Sequence, residues 1–451
     1  MAAVHQETLF DISEETSMYH DSKSSGFFSI LVDINGNKRQ SAHRLSDMPK
    51  VLNLIDTRRD TWISQAEFFK PNRRVVNLAR IGLLFADLDT YRTDWAKDRT
   101  PEQLAESVLH FCNEEGIPTP SLMIFSGRGI QAKWLLDQAI PRNALPRWNA
   151  CQRFLIDRLK SAGADVGAKD ASRVLRLVKT INNKSGEICR VVHVENGIDG
   201  QPVRYNFEYL AEVLLPASRW NIEKQRDERE KRKQFTLIEG GKTDNLRGFS
   251  GRQLAWHRLE DLRTLADLRG GVAEGERMKF LHWQLNFLLL SGATNTGLMY
   301  HEAATLAKNI DKSWGYNSKE LMTLYSKAKI FESGEKISFE GREYPALYTP
   351  RNDTLIDLFE ITDEEQAKLR TIISKDMALN RRRDRDQKRV TAKRREAGVI
   401  DREAYLENIQ NAVKDRKAEA LELRSQGLSI RAIAAKMSVS VGSVSNYLKS
   451  E

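Results

Sequence analysis

At 451 residues with 40% hydrophobic residues, the chain is too long for one small domain and too apolar for wholesale disorder, so two to four domains are expected. A formal net charge of +9 and a pI near 9.2 point to a polyanionic partner, nucleic acid first and an acidic membrane surface second. Cys112, Cys151 and Cys189 are far apart and supply no zinc ribbon, the start lacks the regions of a signal peptide, and no apolar run reaches membrane-spanning length; a soluble protein of the reducing cytoplasm, with no membrane partner, is expected.

Phe27 to Val32 reads as a strand, Asn35-Gly36 as a tight turn and Lys38 to His43 as the return strand. Trp62 to Phe69 and Val75 to Leu78 flank a central stretch, Ile81 to Thr90, whose apolar run ends in Asp87 and Asp89. Period-two alternation puts both carboxylates on one face, with backbones about 6.5 Å apart at roughly 3.3 Å per residue, close enough to share hard cations. The alternative is a strand entering an Asp-containing turn. A helix follows, with Thr100 as N-cap, Pro101 in the first turn, Gln103 completing a capping box, Leu104, Val108, Phe111 and Cys112 as apolar face, and Gly116 as stop. Ser121 to Phe125 and Ile130 to Leu136 read as paired strands about Ser126-Gly127-Arg128-Gly129, with Gln131 and Lys133 sharing a polar face. Pro146 to Ala162 is a second helix ended by Gly163, and Cys189 to Val194 a further strand. This order of elements resembles a split βαβ, or RRM-like, unit, so residues 1–215 are expected to form one α+β domain.

Residues 216–245 form a charged linker, alternating in sign from Lys224 to Lys233. Gly240-Gly241-Lys242-Thr243 ends like a phosphate loop, but Thr236 stands where that loop needs its first glycine, so no ATPase or helicase motor is expected. Residues 246–350 carry amphipathic spacing over Met278 to Leu290, His301 to Ile310 and Ser318 to Lys329, a small helical domain. Residues 351–415 form a basic helical linker; Arg381 to Arg395 holds nine Lys or Arg against two Asp, which makes Arg381, Arg382 and Arg383 candidates for phosphate contact, a solvated helix being the alternative. Residues 416–451 have the spacing of a helix-turn-helix: a helix to Gln426, Gly427 as stop, Ser429 as N-cap of Ile430 to Met437, and a turn into Val441 to Lys449. Ile433, Ala434, Val439, Val444 and Leu448 would be its core, and Ser443, Asn446 and Lys449 the side chains able to reach a groove. A three-helix packing or dimerisation module is the alternative.

Asp87 and Asp89 are candidate metal ligands, and either Asp165 or Asp170 could complete a carboxylate triad. Arg128, Lys133, Arg173, Arg176, Lys179 and Lys184 are cations suited to a nucleoside triphosphate, and the glycines beside Ser126 and Arg128 would let backbone N–H groups approach phosphate. Together the pattern resembles the archaeo-eukaryotic primase superfamily, and within it the replication primases of plasmids and mobile elements. Three motifs over about the first 200 residues carry the resemblance: Phe-Ala-Asp87-Leu-Asp89 as the strand ending in Asp-x-Asp; Ser126-Gly-Arg128-Gly-Ile-Gln131 against Ser-Gly-x-Gly-x-His; and Asp170-Ala-Ser-Arg173-Val-Leu-Arg176-Leu-Val-Lys179-Thr-Ile-Asn182-Asn-Lys184 against an aspartate leading into Arg-Leu-Pro-Gly-Thr-x-Asn-x-Lys.

The resemblance implies an RRM-like primase catalytic domain followed by a helical domain, and a helix-turn-helix at the end suits a protein that finds its own origin. It implies a DNA primase, a template-directed nucleotidyltransferase using magnesium or manganese held by Asp87, Asp89 and a third aspartate, entered here as Asp170 with Asp165 open. Ser126, Arg128, Gln131, Lys133, Arg173, Arg176, Lys179, Asn182 and Lys184 would bind nucleotide. The expected partners are single-stranded DNA template, duplex origin DNA, nucleoside triphosphates and a separate helicase. Two positions depart from the pattern. Gln131 replaces a histidine and cannot carry a proton or positive charge; Val178-Lys179 replaces Pro-Gly. The competing reading is a non-catalytic DNA-binding initiator or repressor with a decayed primase-like domain; an RRM-like RNA binder is weaker, because Trp134 alternates to the face opposite Gln131 and Lys133.

Overall fold

A computed structural model describes residues 10–216, 244–339, 341–396 and 402–449. The chain divides into two compact units, Met1–Ile372 and Ile373–Glu451. Most of the expected charged linker, with the Gly240 to Thr243 stretch, lies outside the described residues. No helix among those described is long and apolar enough to cross a membrane.

The first unit is a mixed helix and sheet structure. Strands β1 (Phe27–Ile34) and β2 (Asn37–Arg44) form the hairpin that Asn35-Gly36 announces: Ile34 pairs with Asn37, and both turn residues take positive φ, 55° and 84°. The other edge of β1 is shared by β3 (Thr61–Ser64) and β4 (Ala66–Phe68), from which the sheet forks. β3 pairs with the short β8 (Val174–Arg176), while β4 pairs with the start of β5 (Leu78–Leu88). From β5 the sheet continues through β7 (Ile130–Pro141) and β6 (Leu122–Phe125) to β9 (Arg190–Val194), every strand pair antiparallel. Thus β5, β7 and β6 lie side by side as the split βαβ order expects, but β9 pairs with β6 and not with β5, where that order would put the last strand.

Helix α1 is Ile12–Ser17 and α2 is Met48–Asn53; α3 (Pro101–Glu114) carries the expected box, with Thr100 Oγ1 accepting from the Gln103 N–H and Gln103 Oε1 accepting from the Thr100 N–H. α4 (Leu145–Arg158) and α5 (Phe207–Leu214) complete this part. Trp134 and Trp148 are buried, and each indole N–H finds a backbone carbonyl: Trp134 that of Pro118 at 2.6 Å, Trp148 that of Leu83 at 2.9 Å.

Among the described residues six helices follow: α6 (Asp244–Leu268), α7 (Arg277–Leu290), α8 (Met299–Ile310), α9 (Met322–Ser333), α10 (Asn352–Phe359) and α11 (Asp363–Lys368), with a hairpin β10 (Lys336–Phe339) and β11 (Arg342–Pro345) after α9. Trp256, Leu259, Leu262, Phe280, Phe287 and Phe359 are buried here, Phe280 meeting Phe359 edge-on at 4.8 Å. The Asp261 carboxylate collects four donors, the backbone N–H groups of Arg370, Thr371 and Ile372 and the Thr371 hydroxyl, at 2.6–2.8 Å. The helices dock on the sheet part through α8: the buried Glu302 carboxylate accepts from the N–H groups of Val75 and Val76 at 3.3 and 3.4 Å. Arg142 pairs with Glu260 at 2.7 Å, and Arg263 donates to the Val76 carbonyl at 2.7 Å.

The second unit holds α12 (Lys375–Glu396), α13 (Arg402–Ser425), α14 (Ile430–Lys436) and α15 (Val441–Leu448). Ala420 and Leu423 of α13 pack with Ile433, Ala434 and Val444, and Leu428, Ile430, Met437, Val439, Tyr447 and Leu448 close over them. Ser429 and Ser440 cap α14 and α15.

Candidate active site

The carboxylates sit where β5 runs out. The strand stops at Leu88, and Asp89 leads into a short 3-10 turn, Thr90–Arg92. On one side β7 places Gln131 directly opposite Asp87. On the other, past Ile81, groups from outside the strands take up the backbone. The Gln152 amide of α4 does this at Phe85, donating to its carbonyl at 2.6 Å and accepting from its N–H at 3.4 Å. One turn beyond α4 the chain itself runs antiparallel to the strand end: the Asp89 N–H donates to the Gly163 carbonyl, and the Asp165 N–H to the Asp87 carbonyl, both at 2.8 Å. That pairing fixes Asp165 beside Asp87, although 78 positions separate them (165 minus 87).

Burial pushes the Asp87 carboxyl up to about 6, and the carboxylates of Asp89 and Asp165 add to the rise; the guanidinium groups of Arg173 and Arg176 oppose it. Asp89 itself pairs with Arg92 at 3.2 Å, and Asp165 Oδ1 accepts from the Gly167 N–H at 2.8 Å. Asp170 is engaged differently, paired with Arg173 at 3.0 Å and accepting from the Ser172 hydroxyl at 2.7 Å. Among the described residues, no set of three His, Cys, Asp or Glu side chains is gathered closely enough to hold a metal ion. The donor chemistry nonetheless suits a hard cation: mutually repelling carboxylates lie beside Gln131, whose buried Oε1 has no hydrogen-bond partner.

The loop after β6 is held by its glycines for packing reasons. A Cβ on Gly129 would lie 2.3 Å from the Leu88 carbonyl oxygen, and one on Gly127, at φ +90°, would lie 2.6 Å from the Asn182 Cβ. Ser126 braces the loop: its hydroxyl donates to the Gly129 carbonyl at 3.1 Å and accepts from the Gly129 N–H at 3.3 Å. Asn182 is buried, its amide donating to the Ser126 carbonyl at 2.8 Å, so its side chain ties the third motif to the second. Arg128 lies over the Tyr91 ring at 4.2 Å, and Tyr91 is itself exposed.

Arg176 is paired with the buried Asp60 and stacks on Trp62 at 4.8 Å. Lys179 pairs with Asp11 at 3.0 Å and holds φ +62°, the left-handed conformation for which the resembled motif has glycine. Lys184 is exposed beside this turn. Lys133 departs from the expected phosphate role: its Nζ is wholly buried, 2.5 Å from the buried Glu15 carboxylate of α1 and 4.4 Å over Tyr19. The polar face predicted from alternation is real at Gln131, but at Lys133 it is filled by α1. Sequence reading missed Glu15, Asp60, Tyr91 and Arg73. The last donates to the Ser172 carbonyl and, at 3.1 Å, to Gln40. An isolated Arg or Tyr in a loop carries no spacing signal that would single it out.

In the second unit, Arg382 and Arg383 are exposed and Arg381 half-buried on α12, with Arg382 3.8 Å from Asp386. The Ser443 hydroxyl is 2.8 Å from that of Ser440 at the start of α15, whereas Asn446 and Lys449 are exposed.

No protein-family model matches the chain. The chain is 28% identical over 362 residues to a protein of Clostridium perfringens named Replication protein, covering 78% of this chain and 77% of that one. Among solved structures it is similar to the archaeo-eukaryotic primase domain of the cyanophage S-2L primase-polymerase (TM-score 0.31, 14% identity, 43% of this chain and 91% of that one). It is also similar to primase RepB′, as the catalytic domain solved with initiator DNA (0.26, 16%, 47% and 93%) and as RepB′ itself (0.26, 15%, 66% and 93%).

Proposed function

We propose that the chain is a replication protein of plasmid or mobile-element type that makes primers on single-stranded DNA and binds duplex origin DNA. The observation that carries the enzymatic reading is the backbone pairing of Asp165 to Asp87 at the end of β5, which puts a third acidic residue from a distant part of the chain beside the Asp-x-Asp pair. The 28% identity to a protein named Replication protein, spread over more than three quarters of both chains, supports the replication role.

In this reading Asp87, Asp89 and Asp165 hold divalent magnesium or manganese, with Asp170 the positioning partner of Arg173. When bound, the metal supplies Lewis acidity towards the 3′-hydroxyl and the triphosphate. The chain's own residues do the rest. Arg173, Arg176 and Lys184 balance the triphosphate charge, Arg128 and the loop N–H groups near Ser126 orient it, and Gln131 offers an uncharged hydrogen bond where relatives of the resembled family carry histidine. The 3′-oxygen attacks the α-phosphorus in line as its proton passes to solvent water, the bond from that phosphorus to the bridging oxygen of the β-phosphate breaks, and pyrophosphate leaves with that oxygen. α14 and α15 would place Asn446 and Lys449 towards a DNA groove, and the Arg381 to Arg383 run on phosphates.

The test is metal-dependent incorporation of labelled nucleotides on a single-stranded template. Asp87→Ala and Asp165→Ala should abolish incorporation, and Asp170→Asn should only reduce it; equal incorporation by wild type and Asp87→Ala rejects the mechanism. A non-catalytic origin-binding protein is the second reading, favoured by Gln131 and by the ungathered carboxylates. It predicts origin binding with no incorporation at all.

A further inference from the structure

Arg173, Arg176 and Arg128 are held at the site by different chemistry. Arg173 is paired with Asp170 at 3.0 Å, and Arg176 with the buried Asp60. A carboxylate partner fixes a guanidinium and at the same time cancels much of its charge. Among the described residues Arg128 is paired with no carboxylate; it is held by the Tyr91 ring, with its Cζ 4.2 Å from the ring centroid. The face of an aromatic ring attracts a cation through its quadrupole and leaves the charge uncancelled.

Both residues stand on backbone that is itself fixed. Tyr91 belongs to the 3-10 turn Thr90–Arg92 that follows Asp89. Arg128 lies between Gly127 and Gly129, each packed too tightly to admit a Cβ, and its carbonyl accepts from the Thr90 hydroxyl at 3.4 Å. Loop and turn therefore present Arg128 and Tyr91 as one unit at the end of β5. Arg92 also approaches the ring, at 5.4 Å, but it is committed to Asp89 at 3.2 Å. Tyr91 is 41% exposed, so burial does not account for an aromatic residue at this position.

We infer that Tyr91 is a positioning residue whose ring holds the Arg128 guanidinium, with its charge intact, for the phosphates of an incoming nucleoside triphosphate. This rests on the primer-synthesis reading, which supplies the triphosphate. A triphosphate concentrates several negative charges beside the carboxylates proposed to hold its metal, which a template strand does not. Tyr91 touches no phosphate itself, and its effect passes wholly through Arg128. The contact is exposed to solvent, so its loss corresponds to about two- to fivefold in affinity.

Two measurements on the full chain test this: calorimetric titration with a nucleoside triphosphate and magnesium, and steady-state incorporation on a single-stranded template. Arg128→Gln should weaken triphosphate binding about tenfold or more. Tyr91→Leu should weaken it about two- to fivefold, raise KM by the same factor and leave kcat within about twofold, with the melting temperature of wild type. Tyr91→Phe keeps the ring and should restore the wild-type KM. In the Arg128→Gln background Tyr91→Leu should have no further effect. A Tyr91→Leu chain that binds triphosphate as tightly as an active wild type overturns the inference and leaves the primase reading standing. An equal loss with and without Arg128 also overturns it, because the ring would then act by itself, stacking on a base. A loss confined to binding of a single-stranded oligonucleotide assigns Arg128 to the template strand and overturns it as well. A wild type that neither binds nor incorporates the triphosphate overturns both the inference and the reading beneath it.

Discussion

The amide of Asp165 donates to the carbonyl of Asp87 at 2.8 Å, so one acidic residue is fixed beside another by main chain. This arrangement has a consequence for stability. The Asp87 carboxyl is raised to about 6 from an ordinary 3.8 by burial, then by Asp89 and Asp165. The folded state therefore favours its neutral form; that stabilisation is complete below the unfolded pKa and is lost as pH rises through about 6. Asp87→Asn should unfold at higher temperature than wild type at pH 8, by about 1–2 kcal/mol of added stability, and the difference should shrink towards pH 4. Magnesium or manganese should raise the melting temperature of wild type more than that of the variant, and calorimetry at the two pH values reads both effects.

Gly129 is the second point at which the site is held tightly. A methyl group there would sit 2.3 Å from the Leu88 carbonyl oxygen, a backbone atom that cannot swing aside. Gly129→Ala should force the loop off the end of β5 and cost about 2–4 kcal/mol, measured by urea unfolding. Gly116→Ala makes a useful contrast: its added Cβ meets nothing within 4 Å, so the strain of φ +61° alone should cost about 1 kcal/mol.

The contrast between what the sequence revealed and what it hid follows the range of the interactions. Local chemistry was legible: the Asn35-Gly36 hairpin, the Thr100 and Gln103 box and the apolar run ending at Asp87 each announce themselves within a few residues. The β10 and β11 hairpin was not, because its strands are only four residues each and lie in a stretch whose spacing reads as helical. Nor was the backbone pairing of Asp165 to Asp87, since Asp165 lies in a turn-rich stretch that no periodicity ties to β5. Lys133 shows the same limit. Alternation placed it on the face of Gln131, but its partner Glu15 is 118 positions away in a helix of six residues that no periodicity marks.

That buried pair makes its own prediction. Breaking it from one side leaves an unpartnered charge in the interior, so Glu15→Gln or Lys133→Met alone should cost about 3–5 kcal/mol. The double variant Glu15→Leu with Lys133→Met should recover most of that loss. In the proposed primase its KM for nucleotides should match wild type, because the ammonium group points at Glu15. A double variant that folds well but loses nucleotide affinity would return Lys133 to the binding site.

Glu302 joins the helical part to the sheet part of the first unit, and it does so against the tendency of a buried carboxylate to stay protonated. Burial raises it to about 7 from 4.5, although the N–H groups of Val75 and Val76 pull the other way. Its contribution to stability is complete below about 4.5 and is lost as pH rises through 7. Glu302→Gln cannot ionise and keeps one carbonyl oxygen to accept from those amides, which use one carboxylate oxygen each in the wild type. It should therefore flatten stability between pH 5 and pH 8 and raise it at the upper end by about 1–2 kcal/mol. Glu302→Leu removes the acceptor, leaving the two N–H groups of the turn at Val75 unsatisfied, and should cost about 1–3 kcal/mol at every pH. Chemical denaturation across that pH range separates the two substitutions. A Gln variant with the same slope as wild type would mean that the carboxylate is ionised throughout and held entirely by the amides and by Arg74.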